Sequence, residues 1–581
     1  MPNADIANPD GRWRFVLLGF AVIMLVGLGQ RDLWNPDEVR VSGLVAEMAL
    51  TGDFVVPRLN GEPFLEKPPL YFWLTALAYR IFGISELTAR LVSALFAIAA
   101  AMLVYGLARR MGYSVASAFF SGIALATSGN FFHMGRNGVI DIQLAVLTFA
   151  SLAAFYVFAT ESKHNKKRAN SGLCARRGDL DIHQRLLWYA AFVLALSGAV
   201  LTKGLVGLAV VVMALGAWLV LSKRFTLSIW FGLGLGCVMS LIPTGIWLLF
   251  LYNELGYDGV YEVVWTNNVG RFSGSYTHHV RPFYYYLTTF PPEFLPWTFF
   301  LPYAFWYHLK QAREENGPSR FLLAWLFAPL LLLSISSGKR GIYFLPMYPA
   351  AALLVGTAIG ETLRKTGDVV SKWLTVPIVI LRALVFVIPL AFLGIAIYHK
   401  ESVWTFITVS VPLLLIAGAP FFRRKHLSAA NSLVAIIASL VFCMGYVGAW
   451  AMPSFNYIKS HVDLFADIAA MKADGVEVVA YKPTENFRGA TWFYNHEGIE
   501  AVYGREALQD IRLTRPDTVI VTDKKFLKGI EIRSGVRFRS IGHRTYVFVT
   551  AADFQDARDL VRNGELRPQD RAGHARDPSL P

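Results

Sequence analysis

Apolar side chains run in long blocks through most of the first 451 positions. The blocks fall at 15–29, 88–108, 114–130, 139–160, 186–201, 205–221, 228–252, 296–308, 321–336, 342–360, 374–397, 403–421 and 429–451. A helix needs about 20 such residues to cross ~30 Å of hydrocarbon. Backbone inside a bilayer is helical because each N–H and C=O must find its partner within the segment. The pattern therefore predicts a polytopic α-helical membrane protein with about thirteen transmembrane helices. The run near 70–84 is shorter, is broken by Arg80, and suits the interface.

Beyond 452 the periodicity changes. VDLFADIAAMKA (462–473) reads as an amphipathic helix, and VEVVAY (476–481), TVIVTD (518–523) and TYVFVT (545–550) read as strands. A helical pattern near 505–512 lies between the first two of these strands. Residues 452–554 are thus expected to form a small α/β domain, and 555–581 a disordered tail.

Composition narrows the class. Of 581 residues, 55% are hydrophobic and only 17% charged, with a mean hydropathy of +0.43. So much apolar material exceeds what a soluble core needs. Three scattered cysteines, Cys174, Cys237 and Cys443, give no disulfide framework. The net charge of +14 distributes as topology demands. With the N-terminus cytoplasmic, alternate loops hold Arg109/Arg110, Lys163/Lys166/Lys167/Arg168, Lys223/Arg224, Lys310/Arg313, Arg364/Lys365 and Arg423/Arg424/Lys425. Segments 30–70, 253–295 and everything after 452 then face outward. No basic domain suggests nucleic acid, and the first apolar run, behind Arg12 and Arg14, reads as an uncleaved span.

The outward segments carry the candidate chemistry. RDLWNPDEVR supplies Asp37, Glu38 and Arg40, and the same loop ends in PFLEKPPLYFW with Glu66 and Lys67. Adjacent loop acids are often merely solvated, but here prolines and aromatics rigidify both loop ends at headgroup depth. Asp141 stands at the outer end of a span, where an acid is costly, although a helix dipole also favours it. Lys203 follows in LTKGL, and Arg271 lies in NNVGRFSGSYTHHVRPFYYYL. In SSGKRGIYFLPMYP, Lys339 and Arg340 violate the positive-inside rule, with Tyr343 just after. Cations on the wrong side call for an anionic partner, and a lipid phosphate fits. His278 and His279 are adjacent, but chain neighbours rarely share one ion, so no metal or other cofactor is expected. Outer cations beside outer acids suit transfer from a phosphate-linked donor, with Lys and Arg neutralising the departing phosphate.

NPDEVR, GDFVVPRLNGEPFLEKPPLYFWL, TKG, NVGRF, FLPW and SSGKRGIYFLP occur in this order. Together they resemble the GT-C membrane glycosyltransferases of the protein O-mannosyltransferase-related branch, and within it the lipid A aminoarabinose transferases. That resemblance implies inverting transfer of a sugar, 4-amino-4-deoxy-L-arabinose, from undecaprenyl phosphate to a lipid A phosphate. The site would face the periplasm of a bacterial inner membrane, and the product would give polymyxin resistance. It implies that Asp37 and Asp141 are the two acids of the family, that Lys67 and Arg271 hold the carrier phosphate, and that Tyr343 lines the cavity. The partners implied are a polyprenyl-phosphate-linked sugar, a lipid A acceptor and the bilayer, with the chain a monomer. The DE pair is followed by VRVSGL rather than a tyrosine-containing stretch, and Asn268 stands where a histidine is expected. A related transferase acting on a protein or glycan hydroxyl, a pyrophosphate-donor ligase using a divalent metal, and a lipid-linked sugar flippase remain as alternatives. The flippase would want a charged route through the bilayer, for which Arg382 alone offers itself.

Overall fold

A computed structural model describes residues 12–34, 36–160, 181–270, 280–314, 317–366, 374–381, 429–453, 456–527, 530–532, 536–541 and 544–556, with 383, 384, 387, 390, 407 and 411. The expected spans 374–397 and 403–421, Arg271, Arg382, the basic runs at 163–168 and 423–425, and the tail from 557 lie mostly or wholly outside those residues.

The membrane portion is helical: α1 (Arg12–Leu25), α2 (Asp37–Thr51), α3 (Leu70–Phe82), α4 (Glu86–Arg110), α5 (Val115–Ala126), α6 (Gly129–Gly135), α7 (Ile140–Thr160), α8 (Ile182–Lys203), α9 (Leu205–Leu221), α10 (Leu227–Tyr261), α11 (Leu301–Glu314), α12 (Pro318–Ile335), α13 (Tyr348–Thr366) and α14 (Ala429–Tyr446). Among the described residues six helical segments are long and apolar enough to cross a bilayer, or seven if α5 and α6, bent by 65°, are one span. The expectation of about thirteen counted shorter elements as well. The run at 296–308 resolves into a 3₁₀ turn (Trp297–Phe300) and the 14-residue α11, and α9 has 17 residues.

Local chemistry fixes the ends. Ser85, Ser114 and Asp181 each accept from the backbone N–H three residues on, starting α4, α5 and α8. Packing then depends on small residues, because lipid offers no hydrophobic drive between helices. A Cβ on Gly356 would lie 2.1 Å from Ser121 N, and one on Gly360 2.4 Å from Ser117 Cα. These positions, four apart on α13 and on α5, let two backbones touch.

The C-terminal part is α/β, with α15 (Val462–Ala473), β3 (Val478–Tyr481), α16 (Glu485–Asn495), β4 (Glu500–Val502), α17 (Arg505–Thr514), β5 (Val519–Asp523), β6 (Arg537–Ile541) and β7 (Arg544–Thr550) following the small hairpin β1 (Arg58–Leu59) and β2 (Glu62–Pro63) of the first loop. The sheet order is β4-β3-β5-β7-β6, parallel through β4, β3 and β5 and antiparallel beyond. Alternation sorts β3: Val478 and Ala480 join Leu464, Phe465, Phe487 and Ala490 on one face. Val479 and Tyr481 join Leu508 and Ile511 on the other.

The first face does more than close a small domain. Its cluster also contains Val39, Leu44, Val45 and Met48 of α2 and Tyr71 and Phe72 of α3. The first-loop helix and the C-terminal sheet therefore share one core. Contact between α2 and α16 is backbone to backbone, since a Cβ on Gly43 would sit 1.5 Å from Gly489 O and one on Gly489 2.6 Å from Arg40 Cα.

Candidate active site

Five segments converge on one charged cavity of about 60 Å³. Asp37 and Arg40 come from the first turn of α2, Glu66 and Lys67 from the loop before α3, and Asp141 from the first turn of α7. Lys203 ends α8, and Arg340 and Tyr343 sit at the start of a 3₁₀ segment, Gly341–Met347. Eight of the eleven residues singled out in the sequence thus line one space.

Each is aimed by its neighbours. Pro36 precedes α2, so Asp37 enters the helix at its electropositive end. Lys203 is the last helical residue because Gly204 adopts φ +70°, turning the chain straight into α9. Asn268 receives the Leu205 N–H at 3.0 Å and donates to Val263 O at 2.7 Å, so the asparagine at the departed position buttresses that turn.

Charges are arranged in pairs. Asp37 Oδ2 accepts from Arg340 at 2.5 Å and Oδ1 from Arg40 at 2.9 Å. Lys203 Nζ pairs with Asp141, and the ammonium also lies 4.4 Å from the centre of the Tyr343 ring. Burial alone would raise the Asp37 carboxyl, but Arg340 and then Arg40 outweigh it and hold the group below its ordinary value. Arg40 is itself raised: burial opposes its charge, and Glu66, Asp37 and Glu485 together overcome that. The lining contains four cations (Arg40, Lys67, Lys203, Arg340) and three carboxylates (Asp37, Glu66, Asp141).

Two expected residues are elsewhere, and a third cannot be placed. Glu38, expected beside Asp37 in catalysis, points the other way into the protein. Its carboxylate accepts from Arg90 Nε at 2.6 Å, Arg31, Trp34 N at 2.9 Å and Gly138 N at 3.1 Å, and it is 4% exposed. Burial pushes it up, yet Arg90 and Arg31 bring it down to about 2. Glu38 is a structural counter-ion, not a wall of the cavity. Lys339, expected to meet an anion, instead donates to the carbonyls of Arg281 and Ser336 and is buried. Arg271 is outside the described residues. Sequence reading missed Arg90 and Arg31, the partners of Glu38. It also missed Glu485, whose Oε2 accepts from Arg40 Nη1 at 2.7 Å. An arginine in the first turn of an apolar span was the available signal for Arg90.

A larger cavity, about 280 Å³, lies between α1, α6 and α14. It is walled mainly by apolar groups and by Arg31, His133, Arg136 and Asn137. Arg136 is spent on the carbonyls of Ile23, Met24 and Val26, Arg31 on Glu38 and Asn137, and among the described residues no carboxylate lines the space. The smaller cavity holds the candidate chemistry. Among the described residues no cluster of three or more His, Cys, Asp or Glu could hold a metal ion.

Residues 66–174 match the family described as dolichyl-phosphate-mannose-protein mannosyltransferase. An undecaprenyl phosphate-α-4-amino-4-deoxy-L-arabinose arabinosyl transferase from Aeromonas salmonicida is 26% identical over 514 residues, covering 85% of this chain and 87% of that protein. The enzyme of the same name from Erwinia tasmaniensis is 29% identical over 58% of this chain, an alignment that spans 57% of that relative. Among solved structures, ArnT from Cupriavidus metallidurans bound to undecaprenyl phosphate superposes with a TM-score of 0.68 at 21% identity, covering 92% of this chain and 98% of that one. The chain therefore has the ArnT fold over nearly its whole length, and its sequence likeness runs to transferases of that name and, in its first third, to the mannosyltransferase family.

Proposed function

We propose that this protein is an inverting glycosyltransferase that moves 4-amino-4-deoxy-L-arabinose from undecaprenyl phosphate to a phosphate of lipid A. The relatives bearing that name and the fold shared with ArnT bound to undecaprenyl phosphate support the donor. The observation that carries the reading is the mixed cavity, with Arg340 and Arg40 on Asp37 and Lys203 on Asp141. A donor with both an ammonium and a phosphate needs both signs within a few ångströms, and this lining supplies them.

In the reaction, a lipid A phosphate oxygen attacks the anomeric carbon while the bond from that carbon to the carrier phosphate oxygen breaks. The bonding pair leaves on undecaprenyl phosphate, and the sugar inverts. Acceptor phosphate gives up one charge and carrier phosphate gains one, so no proton moves. Lys67, Lys203 and Arg340 neutralise the charge arriving on the leaving group. Asp37 orients the sugar through its ammonium. A hydroxyl acceptor would need a base with a pKa near the working pH. A carboxylate held low by two arginines is a poor one, which favours phosphate over protein or glycan hydroxyls.

The sidedness of the basic loops favours a periplasmic site in a bacterial inner membrane, with the α/β domain on the same side. Masking lipid A phosphates with an amine would lower affinity for cationic peptides such as polymyxin. Mass spectrometry of lipid A from cells with and without the gene tests the reading. An added aminopentose is expected only with the gene; identical spectra would overturn it.

A further inference from the structure

We infer that Glu485, on the C-terminal α/β domain, is a positioning residue of the transfer site that acts through Arg40. The inference rests on the reading of the cavity as a sugar-transfer site. Its basis is a continuous chain of ion pairs crossing from one part of the molecule to the other. Glu485 Oε2 accepts from Arg40 Nη1 at 2.7 Å, Arg40 Nη2 donates to Asp37 Oδ1 at 2.9 Å, and Asp37 Oδ2 accepts from Arg340. The two ends of the Arg40 guanidinium are thus divided between the catalytic acid and a residue more than 440 positions away.

The surrounding structure fixes the backbone on both sides of this pairing, while the Glu485 side chain itself is half exposed. Thr484 caps α16 by accepting the Phe487 N–H at 3.3 Å, which places Glu485 in the first turn. Gly489, one turn along, lies against the backbone of Arg40 itself, where a Cβ would come within 2.6 Å of Arg40 Cα. The stem of Arg40 has little freedom, and its guanidinium lies 5.3 Å from the centre of the Phe64 ring. Other ties brace the hairpin between α2 and Lys67: Arg488 donates to Glu62 at 2.7 Å and to Leu59 O at 3.1 Å, and Asn60 donates to Ile499 O at 2.8 Å. Without Glu485 the Arg40 fork has Glu66 and Asp37 as competing carboxylates, and its bond to Asp37 loses a fixed direction. The Arg40 guanidinium is a rigid planar fork, so fixing one end on Glu485 sets the direction in which the other end meets Asp37. The α/β domain therefore completes the site rather than decorating it.

The test is a double-mutant cycle in the full-length protein in nanodiscs, comparing Glu485→Ala, Glu485→Gln, Arg40→Ala and the double variant Arg40→Ala/Glu485→Ala. Three quantities are measured: kcat and KM for transfer, the melting temperature, and the gain in melting temperature given by undecaprenyl phosphate. Misplacement of a group by about an ångström costs up to ~100-fold. Glu485→Ala is expected to lower kcat about tenfold at little change in donor KM or melting temperature. Glu485→Gln, whose amide oxygen still accepts from Arg40, should stay within about threefold of wild type, and the double variant should match Arg40→Ala. A wild-type kcat in Glu485→Ala, or losses that add to those of Arg40→Ala, would overturn the inference. Should the unaltered protein transfer no sugar, the functional reading fails instead. The inference is then decided by the undecaprenyl phosphate gain, which must shrink in Glu485→Ala and shrink no further in the double variant; an unchanged gain refutes it.

Discussion

Asp37 and Glu38 are neighbours with the same charge and opposite fates. Successive helix positions diverge by about 100°, so i and i+1 do not share a face. Asp37 meets a cavity where its partners, Arg340 and Arg40, are partly exposed. Glu38 meets Arg90 and Arg31 inside the protein, with two backbone N–H groups completing its shell. Number of charges therefore says little about function in a membrane enzyme. What separates the two acids is whether the protein alone completes their coordination. A carboxylate with every lone pair answered by fixed donors is a rivet, and one paired with displaceable cations is a site.

That contrast can be broken from either side. The largest effect falls on Glu38: Glu38→Ala leaves Arg90, 1% exposed, without its counter-charge, at a cost of ~3–5 kcal/mol. Thermal melting should show the loss, whereas Asp37→Asn should melt close to wild type; equal destabilisation would erase the distinction. Next is Lys203, proposed above to neutralise the leaving phosphate. Lys203→Ala should lower kcat by ~10²–10³, read from single-turnover transfer at saturating donor. A smaller loss is expected at Gly43, where a Cβ meets Gly489 O. Gly43→Ala should cost ~1–3 kcal/mol by forcing α2 and α16 apart, and limited proteolysis should then cut sooner between the membrane helices and the α/β domain.

The smallest effect expected is an absence of pH response. The folded pKa of Asp37 is depressed, so its pairing is fully present above its ordinary 3.8 and is lost only as pH falls through the lower folded value. The rate of transfer should show no inflection from Asp37 between pH ~5 and ~8. An acid limb in that window that disappears in Asp37→Asn would contradict both the ion-pair geometry and the phosphate acceptor.

Much of the site was legible because it is written in violations. Asp141 and Arg340 were read from the sequence as charges that the bilayer or the positive-inside rule disfavours, and the structure gathers both with Asp37 and Lys203. The same logic failed for Lys339, since a cation on the wrong side can also be answered by backbone carbonyls. It failed for Glu38 because sequence adjacency hides helical direction. In the α/β domain, the helix at 462–473 and the strands ending at Tyr481 and Asp523 followed their periodicity. The helix Glu485–Asn495 did not, since ENFRGATWFYN carries a glycine, a threonine and four aromatics where helix formers are expected. Gly489 is there for contact with α2, so the tertiary requirement overwrote the local signal. The count of about thirteen spans reaches into segments outside the described residues, and within the described ones α9 and α11 are apolar but shorter than a span.

The central claim, that Asp37 belongs to the chemistry and Glu38 to the frame, is tested most directly on Asp37→Asn. The measurement is the rate at which purified protein in nanodiscs transfers aminoarabinose from undecaprenyl phosphate to lipid A, alongside its melting temperature. The account predicts a rate lowered by at least ~100-fold at an unchanged melting temperature. A wild-type rate in Asp37→Asn would contradict it.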